Sequence, residues 1–310
     1  TETPFMRMIG RPPVSNTTHD WQTESLAAAS TANARIEGLD FSGAAITATT
    51  RLSNKTQISY KDIVISTTQQ PVNPAGRANA LAHQLATKGL ELRRDMEATM
   101  LSNNASVAGT DAVAGQSGGL NAWLETNNAA PAVGYTAGGF NTGTGIVDAM
   151  VPGTAEALTE TKVRDVAENI FTEGGNPTVC MMVPKVCRLF SEYLFTSSAR
   201  VATLTAETGQ SKSAATAKGS INIFVTDFGV TLDLIPNRLQ QNTDTDVSTA
   251  FLIDPMHLRQ SFLHSPRTEP LAKTGLSEKR MMSADWTLVV TTEKAHGCIP
   301  AIDNTAAVTA

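Results

Sequence analysis

Apolar and polar positions along the chain fall into blocks of different period. Residues 1–42 have no sustained period: Pro, Asn, Thr and Ser separate single anchors, Phe5, Met6, Ile9 and Trp21, as in an extended arm pinned at a few points. From Ala44 to Thr68 β-branched residues accumulate. Ser53-Asn54-Lys55 supplies a turn in which Asn54 suits a left-handed conformation, so the pattern predicts a long β-hairpin. Its second strand does not alternate cleanly. Ile58, Tyr60 and Val64 share a face with Asp62, and Ile63 and Ile65 share the other with Ser59 and Lys61, which predicts a strand that leaves the body of its own subunit. On that expectation Ser53 to Tyr60 is dispensable for the fold of a single chain.

Helical spacing takes over between Asn73 and Asn103. Pro74 suits a helix start, where its missing N–H costs nothing. Ala78, Leu81, Leu85, Leu92, Met96 and Met100 form the apolar stripe, with Arg77, Lys88, Arg93, Arg94, Asp95 and Glu97 largely off it. Such a helix of about 27 residues would run ~40 Å, long enough to be a spine. From Asn103 to Gly153 lie ten of the chain's 22 glycines, predicting a long flexible insertion around one firm segment, "GGLNAWLETN". An α-β-α unit follows: a helix over Val163, Val166, Ala167, Ile170 and Phe171 ended by Gly174-Gly175, a buried strand Val179 to Val183, and a helix opened by Pro184 with Val186, Leu189, Phe190 and Tyr193 inward. After a polar stretch, 197–219, strands are expected at Ile221–Thr226, Val230–Ile235, Ala250–Ile253, His257–Leu263 and in "ADWTLVVTTEKAHG".

Composition narrows the function classes. Of the 310 residues, 41% are hydrophobic and only 17% charged, with a net charge of −5, so the chain is globular and carries no basic footprint for gripping nucleic acid. Cys180, Cys187 and Cys298 are too few and too irregularly spaced for a disulfide framework or a CxxC metal pair, and read as reduced thiols. No apolar run approaches the ~18 residues of a membrane span. The first residue is Thr, which leaves open whether residues precede it.

Candidate chemistry is sparse. Gly115-Gln116-Ser117-Gly118-Gly119 matches GxSxG, but a nucleophile elbow needs a buried strand entering the turn, and "NNASVAGTDAVA" is not one. A serine hydrolase is nonetheless an alternative function, as is a surface binding module such as a decoration or adhesin protein, suggested by the Thr- and Asn-rich loops. His19, His83, His257, His264 and His296 are scattered without metal-ligand spacing, and His83 reads as a surface residue. Asp227 and Asp233 flank expected strand positions, and Asp244 and Asp246 sit in a polar loop that could attract a hard cation or be simply solvated. No phosphate-cradling glycine motif is present, so no catalytic, metal or cofactor site is expected.

The order of arm, hairpin, spine helix, glycine-rich insertion and α-β-α unit resembles tailed-phage major capsid proteins of the Hong Kong 97 type. Local words, "TETPFMRMIG", "THDWQTESLAAA", "QQPVNPAGRANALAHQLATKGLELRRDMEATML", "GGLNAWLETN" and "DVAENIFTEGGNPTVCMMVP", resemble the SU-ten-like subgroup of that family. The resemblance implies an α+β fold with an N-terminal arm (1–42), an E-loop hairpin (43–70), a peripheral domain with spine helix and glycine-rich insertion (71–153), a mainly axial domain (154–254), and strands returning to the peripheral domain (255–310). It implies self-assembly into pentamers and hexamers of an icosahedral phage head around double-stranded DNA, touched weakly and without sequence preference. Portal and scaffold or cementing proteins would be partners, with assembly in the host cytoplasm and no membrane. Expected subunit-interface residues are Trp21, Arg51, Asn54, Lys55, Tyr60, Lys61, Asp62, Arg93 and Arg94. In one branch of the fold an E-loop Lys is cross-linked to a neighbour's Asn; Lys55 is near the tip, but nothing matches the motif for that chemistry.

Overall fold

The computed structural model describes residues 2–38, 40, 43, 46, 48–67, 80–196, 223–226, 228–240, 246–273 and 275–306, with 191–196 by backbone alone. The expected helix start at Pro74, the inward Tyr193, and Asp227 and Asp244 lie outside what is described. The helices are α1 (Pro4–Met8), α2 (Ala80–Met100), α3 (Leu120–Trp123), α4 (Glu160–Thr172) and α5 (Pro184–Thr196). The strands are β1 (Thr18–Thr23), β2 (Thr50–Lys55), β3 (Gln57–Ser66), β4 (Tyr135–Thr136), β5 (Gly139–Asn141), β6 (Ile146–Asp148), β7 (Val151–Pro152), β8 (Val179–Met182), β9 (Ile223–Val225), β10 (Thr231–Pro236), β11 (Val247–Ile253), β12 (Leu258–Pro270), β13 (Ser277–Val290) and β14 (Gly297–Asp303).

The expected hairpin is not formed. β2 pairs antiparallel with β1, placing Thr23 opposite Thr50 and Thr18 opposite Lys55, whereas β3 is an edge of the three-stranded β12–β13–β3 sheet. Thr56 is the corner between them, and its N–H bonds to the Thr17 carbonyl at 2.8 Å. Asn54 is not left-handed, and it is fully buried within β2. The hairpin therefore lies earlier in the chain: β1 and β2 are a two-stranded stalk, and the segment 24–49 connects Thr23 to Thr50 at one end of it.

The mixed pattern of β3 follows from its sheet having one covered face. Ile63 and Ile65 are buried on the side where α2 packs and where Lys61 pairs with Asp95. Ile58, Tyr60 and Val64 are exposed on the other side. Along α2 the stripe is buried at Leu92, Met96 and Met100 but only half-buried at Leu81 and Leu85, so the helix sinks into the core through its C-terminal turns. His83 is exposed, in keeping with its reading as a surface residue.

The glycine-rich segment is not a flexible insertion. It folds into the short pairs β4·β7 and β5·β6 around α3, whose Leu120 and Trp123 enter the core formed by Phe5, Met96, Trp286 and Leu288. Its glycines let backbones touch rather than bend freely. A Cβ on Gly119 would lie 2.2 Å from the Ser102 carbonyl oxygen, and one on Gly138 would lie 2.6 Å from those of Ala122 and Asp148. Gly119→Ala is expected to cost about 3 kcal/mol in urea denaturation, because the obstructing atoms are backbone at the end of α2. Gly43→Ala, with nothing within 4 Å of the added carbon, is expected to be neutral.

The α-β-α unit forms as expected, and Thr159 caps α4 by accepting the N–H of Lys162 at 3.2 Å. β8 is the centre of a five-stranded sheet ordered β14–β11–β8–β10–β9. Both faces of β8 are buried: Cys180 and Met182 meet the α4 and α5 cluster, and Val179 and Met181 meet the cluster around Trp286. That is why it reads as a continuous apolar run. β12 and β13 lie beside α2, but β14 joins this second sheet instead of returning with them. Nothing in the alternation pattern announces β14, because it contains Pro300. An edge strand tolerates it: Pro300 and Ala301 (φ 52°) face the register shift between Ser248 and Ala250 of β11.

Candidate assembly surface

The stalk is firmly rooted in its own chain. Trp21 packs between His19 and Trp123, with ring centroids 5.7 and 5.4 Å away, and Trp123 stacks on Phe140 at 5.9 Å. Across the stalk Arg51 pairs with Asp20. Asn54 is its main fastening. The Nδ2 group donates to the carbonyls of Leu288 (2.7 Å) and Gly118 (3.2 Å) and to Ser117 Oγ (3.2 Å), while Oδ1 accepts the N–H groups of Gly118 and Lys55, both at 2.9 Å. One buried amide thus ties β2 to the glycine-rich segment and to β13. Asn54→Ala is expected to lose about 3 kcal/mol by urea denaturation, since it strands several buried polar groups at once.

Asn54 is therefore a joint inside the subunit, with no surface left exposed in the single chain. Trp21 and Lys61 are likewise engaged within the chain, the first by aromatic packing and the second by Asp95. Lys55 donates to Thr18 Oγ1 at 3.0 Å and remains half-buried. Tyr60 and Asp62 stand exposed on the open face of the β12–β13–β3 sheet, beside Ile58 and Val64. Arg93 and Arg94 are exposed on α2, and Arg94 lies 3.9 Å from Glu2 at the beginning of the chain. The structure brings the stalk residues Trp21, Arg51, Asn54 and Lys55 together; Arg93 and Arg94 belong to a separate surface.

Beyond the stalk, the described large apolar side chains of the segment 24–49 have little cover. Leu26 is 98% exposed, Ile46 95% and Ile36 77%. Isolated apolar residues at a surface are ordinary, but three largely solvated ones on a single segment make it a candidate contact surface. In the sequence these residues lie among small, polar and other apolar residues without period, so nothing distinguishes them from anchors of an arm.

A second feature without a sequence signal is Glu97, fully buried on α2. Its Oε1 accepts the Phe5 N–H at 2.8 Å and the Asn237 side-chain amide at 2.8 Å, and its Oε2 accepts the Met6 N–H at 2.7 Å. Burial pushes the carboxyl up, against three donors that pull it down. The spine helix, the first turn of the chain and the end of β10 therefore meet at one carboxylate.

Ser117 is occupied structurally. It is 1% exposed, and its Oγ accepts the Leu288 N–H at 3.2 Å and the Asn54 amide; no histidine is among its hydrogen-bond partners. Among the described residues no cluster of His, Cys, Asp and Glu is arranged to hold a metal ion, and Asp246 pairs with Lys185 at 2.9 Å. Burial raises the thiol pKa values of Cys180 and Cys298, keeping both unreactive. Among the described residues no helix is long and apolar enough to cross a membrane.

With a projecting stalk, a spine helix and two sheets in place, comparison with known proteins decides the family. The family model described as "SU10 major capsid protein" matches residues 1–303. The chain belongs to that family. It is a phage structural protein, not an enzyme, and the GxSxG match is a buried packing joint. A curated relative, the major capsid protein of Escherichia phage Phieco32, is 36% identical over 115 residues, which are 37% of this chain and 32% of the relative. The chain thus matches about a third of that relative's length. Solved structures agree on the fold at low identity. The capsid of a native GTA particle superposes with a TM-score of 0.59 at 12% identity, covering 97% of this chain and 91% of the other. The SrpI encapsulin of Synechococcus elongatus PCC 7942 gives 0.56 at 10% (100% and 91% covered), and Gordonia phage Cozz gives 0.55 at 15% (100% and 87%). The capsid protein thus has the α+β fold of the Hong Kong 97 type.

Proposed function

We propose that this capsid protein assembles, by laying the segment 24–49 on a neighbouring copy, into the pentamers and hexamers of an icosahedral phage head that encloses double-stranded DNA. The observation that carries the reading is the solvated row Leu26, Ile36 and Ile46 on a stalk rooted by Trp21 and Asn54. A rigid base presenting an uncovered apolar tip suits an exchange of arms between copies. Many modest contacts of that kind, repeated around a closed lattice, give cohesion that no single contact supplies. Family membership supports the same reading.

On this reading the E-loop is the segment 24–49 between β1 and β2, in place of 43–70. The axial domain is the five-stranded sheet with α4 and α5, with β14 belonging to it. The peripheral domain is α2 with the β12–β13–β3 sheet. The net charge of −5 suits a wall that holds packaged DNA loosely, by weak contacts without sequence preference. Portal and scaffold or cementing proteins complete the head, which is assembled in the host cytoplasm and resides in the virion. Expression of the full chain with its phage's assembly partners, followed by electron microscopy and sedimentation, is expected to give shells or capsomers. A chain that stays monomeric at every stage would overturn the reading.

A further inference from the structure

His296 is fully buried, just past the turn Glu293–Ala295 that leads from β13 into β14. Its Nδ1 accepts the N–H of Asp254 at 3.2 Å, which ties it to a second turn, Pro255–His257, between β11 and β12. Accepting there fixes the neutral ring with its proton on Nε2. That nitrogen is shut off from water and has no hydrogen-bond partner among the described residues. One bond from a neutral imidazole therefore joins the two turns, and the ring is poorly placed to take a second proton. A proton on Nδ1 would stand against the Asp254 N–H, donor to donor, and would leave a cation in a site without water.

The charged groups of the surrounding elements are turned to other partners. Asp254 Oδ1 accepts the Met256 N–H at 3.0 Å, and its Oδ2 lies 3.9 Å from His257 Nε2. Glu293 Oε1 accepts the N–H groups of Glu125 and Thr126 at 2.8 and 2.9 Å, and Lys294 pairs with Glu173 at the end of α4 at 2.8 Å. Burial pushes the His296 imidazole down to about 3, with the His257 charge acting in the same direction and the His257 carbonyl against it. That carbonyl already accepts the N–H and the hydroxyl of Thr291, both at 3.0 Å. The two turns stand on the body side of a cleft of about 780 Å³ beside the stalk. His257, Thr291 and Lys294 line it from the body, and Gln22, Thr50 and Leu52 from the stalk.

We propose that His296 is an acid-sensitive latch: uptake of a proton frees the turn Pro255–His257 from β14 and opens the body wall of the cleft beside the stalk. A histidine held neutral in the closed form gains its proton on opening. The closed form therefore loses ground as pH falls below about 6.5, the ordinary histidine value, and goes on losing it down to about 3. The latch belongs to the single chain, so it stands or falls independently of shell formation.

Hydrogen exchange of the unassembled full chain, read by mass spectrometry and corrected for the intrinsic pH dependence of exchange, tests it. Protection of peptides covering 254–257 is expected to fall about thirtyfold between about pH 7.5 and 5, with peptides of β8 better protected throughout. His296→Asn keeps an oxygen for the Asp254 N–H without a titrating ring, so its protection should be level over the same range. Level protection in the native chain overturns the latch, as does an equal fall in the variant or a turn that exchanges only together with β8. A second measurement needs no substitution: the His296 Cε1–H resonance of the folded chain should not titrate over that range. A ring that takes up its proton while the Asp254 amide stays protected would show that the site accepts the charge, which also overturns the proposal.

Discussion

Replacing residues 24–49 by a two-residue Asn-Gly turn is expected to give a folded monomer that no longer forms shells. Thr23 and Thr50 face each other directly at the end of the β1·β2 ladder, so a two-residue turn closes it in register. Of the described large apolar side chains the deletion removes Leu26, Ile36 and Ile46, none of which contributes to either core cluster. Stability by urea denaturation should therefore change by no more than about 1 kcal/mol, as for surface changes that leave packing intact. Sedimentation and negative-stain microscopy should show shell yield falling below detection. Shells of normal yield would reject the segment as the assembly arm. Deleting Ser53 to Tyr60 is expected to do the opposite. That stretch looks like a hairpin tip in the sequence, but it contains Asn54 and the start of β3, so its loss should unfold the subunit.

Glu97→Ala should cause a comparably large loss, this time in the monomer. The substitution strands the N–H groups of Phe5 and Met6 and the Asn237 amide in a site without water. Hydrogen bonds to a charged group and the penalty for buried donors left unpaired together suggest about 4 kcal/mol. Glu97→Gln should cost roughly half as much, because its carbonyl oxygen still accepts while its amide faces the Met6 N–H donor to donor. Urea denaturation followed by tryptophan fluorescence measures both. Limited trypsin digestion supplies a local readout, since release of α1 from α2 should open the Arg7–Met8 bond to cleavage before the body unfolds. A loss under 0.5 kcal/mol for the alanine variant, or unchanged digestion, would show that the carboxylate does not hold the first turn.

Elements whose apolar period is local were legible in the sequence. α4 and α5, with Thr159 and Pro184 at their starts, and the continuously apolar β8 need only helical spacing, caps and a buried run to be placed. The family words also ran through these blocks and through the spine, which is how an SU10-type capsid subunit could be expected before any fold was seen. Pairing partners were not legible. A strand's own alternation states that two faces differ, but not which strand lies beside it; β2 and β3 are adjacent in sequence and only Thr56 apart, yet they enter different sheets. Asn54 shows the cause. In a short peptide its amide favours a turn, and in the folded chain five hydrogen bonds to Ser117, Gly118, Leu288 and Lys55 hold it within a strand. Glu97 and His296 share that character, because an ionisable residue is read as solvated until distant chain segments are packed around it. The sequence by itself determined the helices α2, α4 and α5, the central strand and the family resemblance. Only the tertiary structure decided which hairpin projects, which ionisable residues are buried and which apolar residues remain uncovered, because each depends on contacts between residues far apart along the chain.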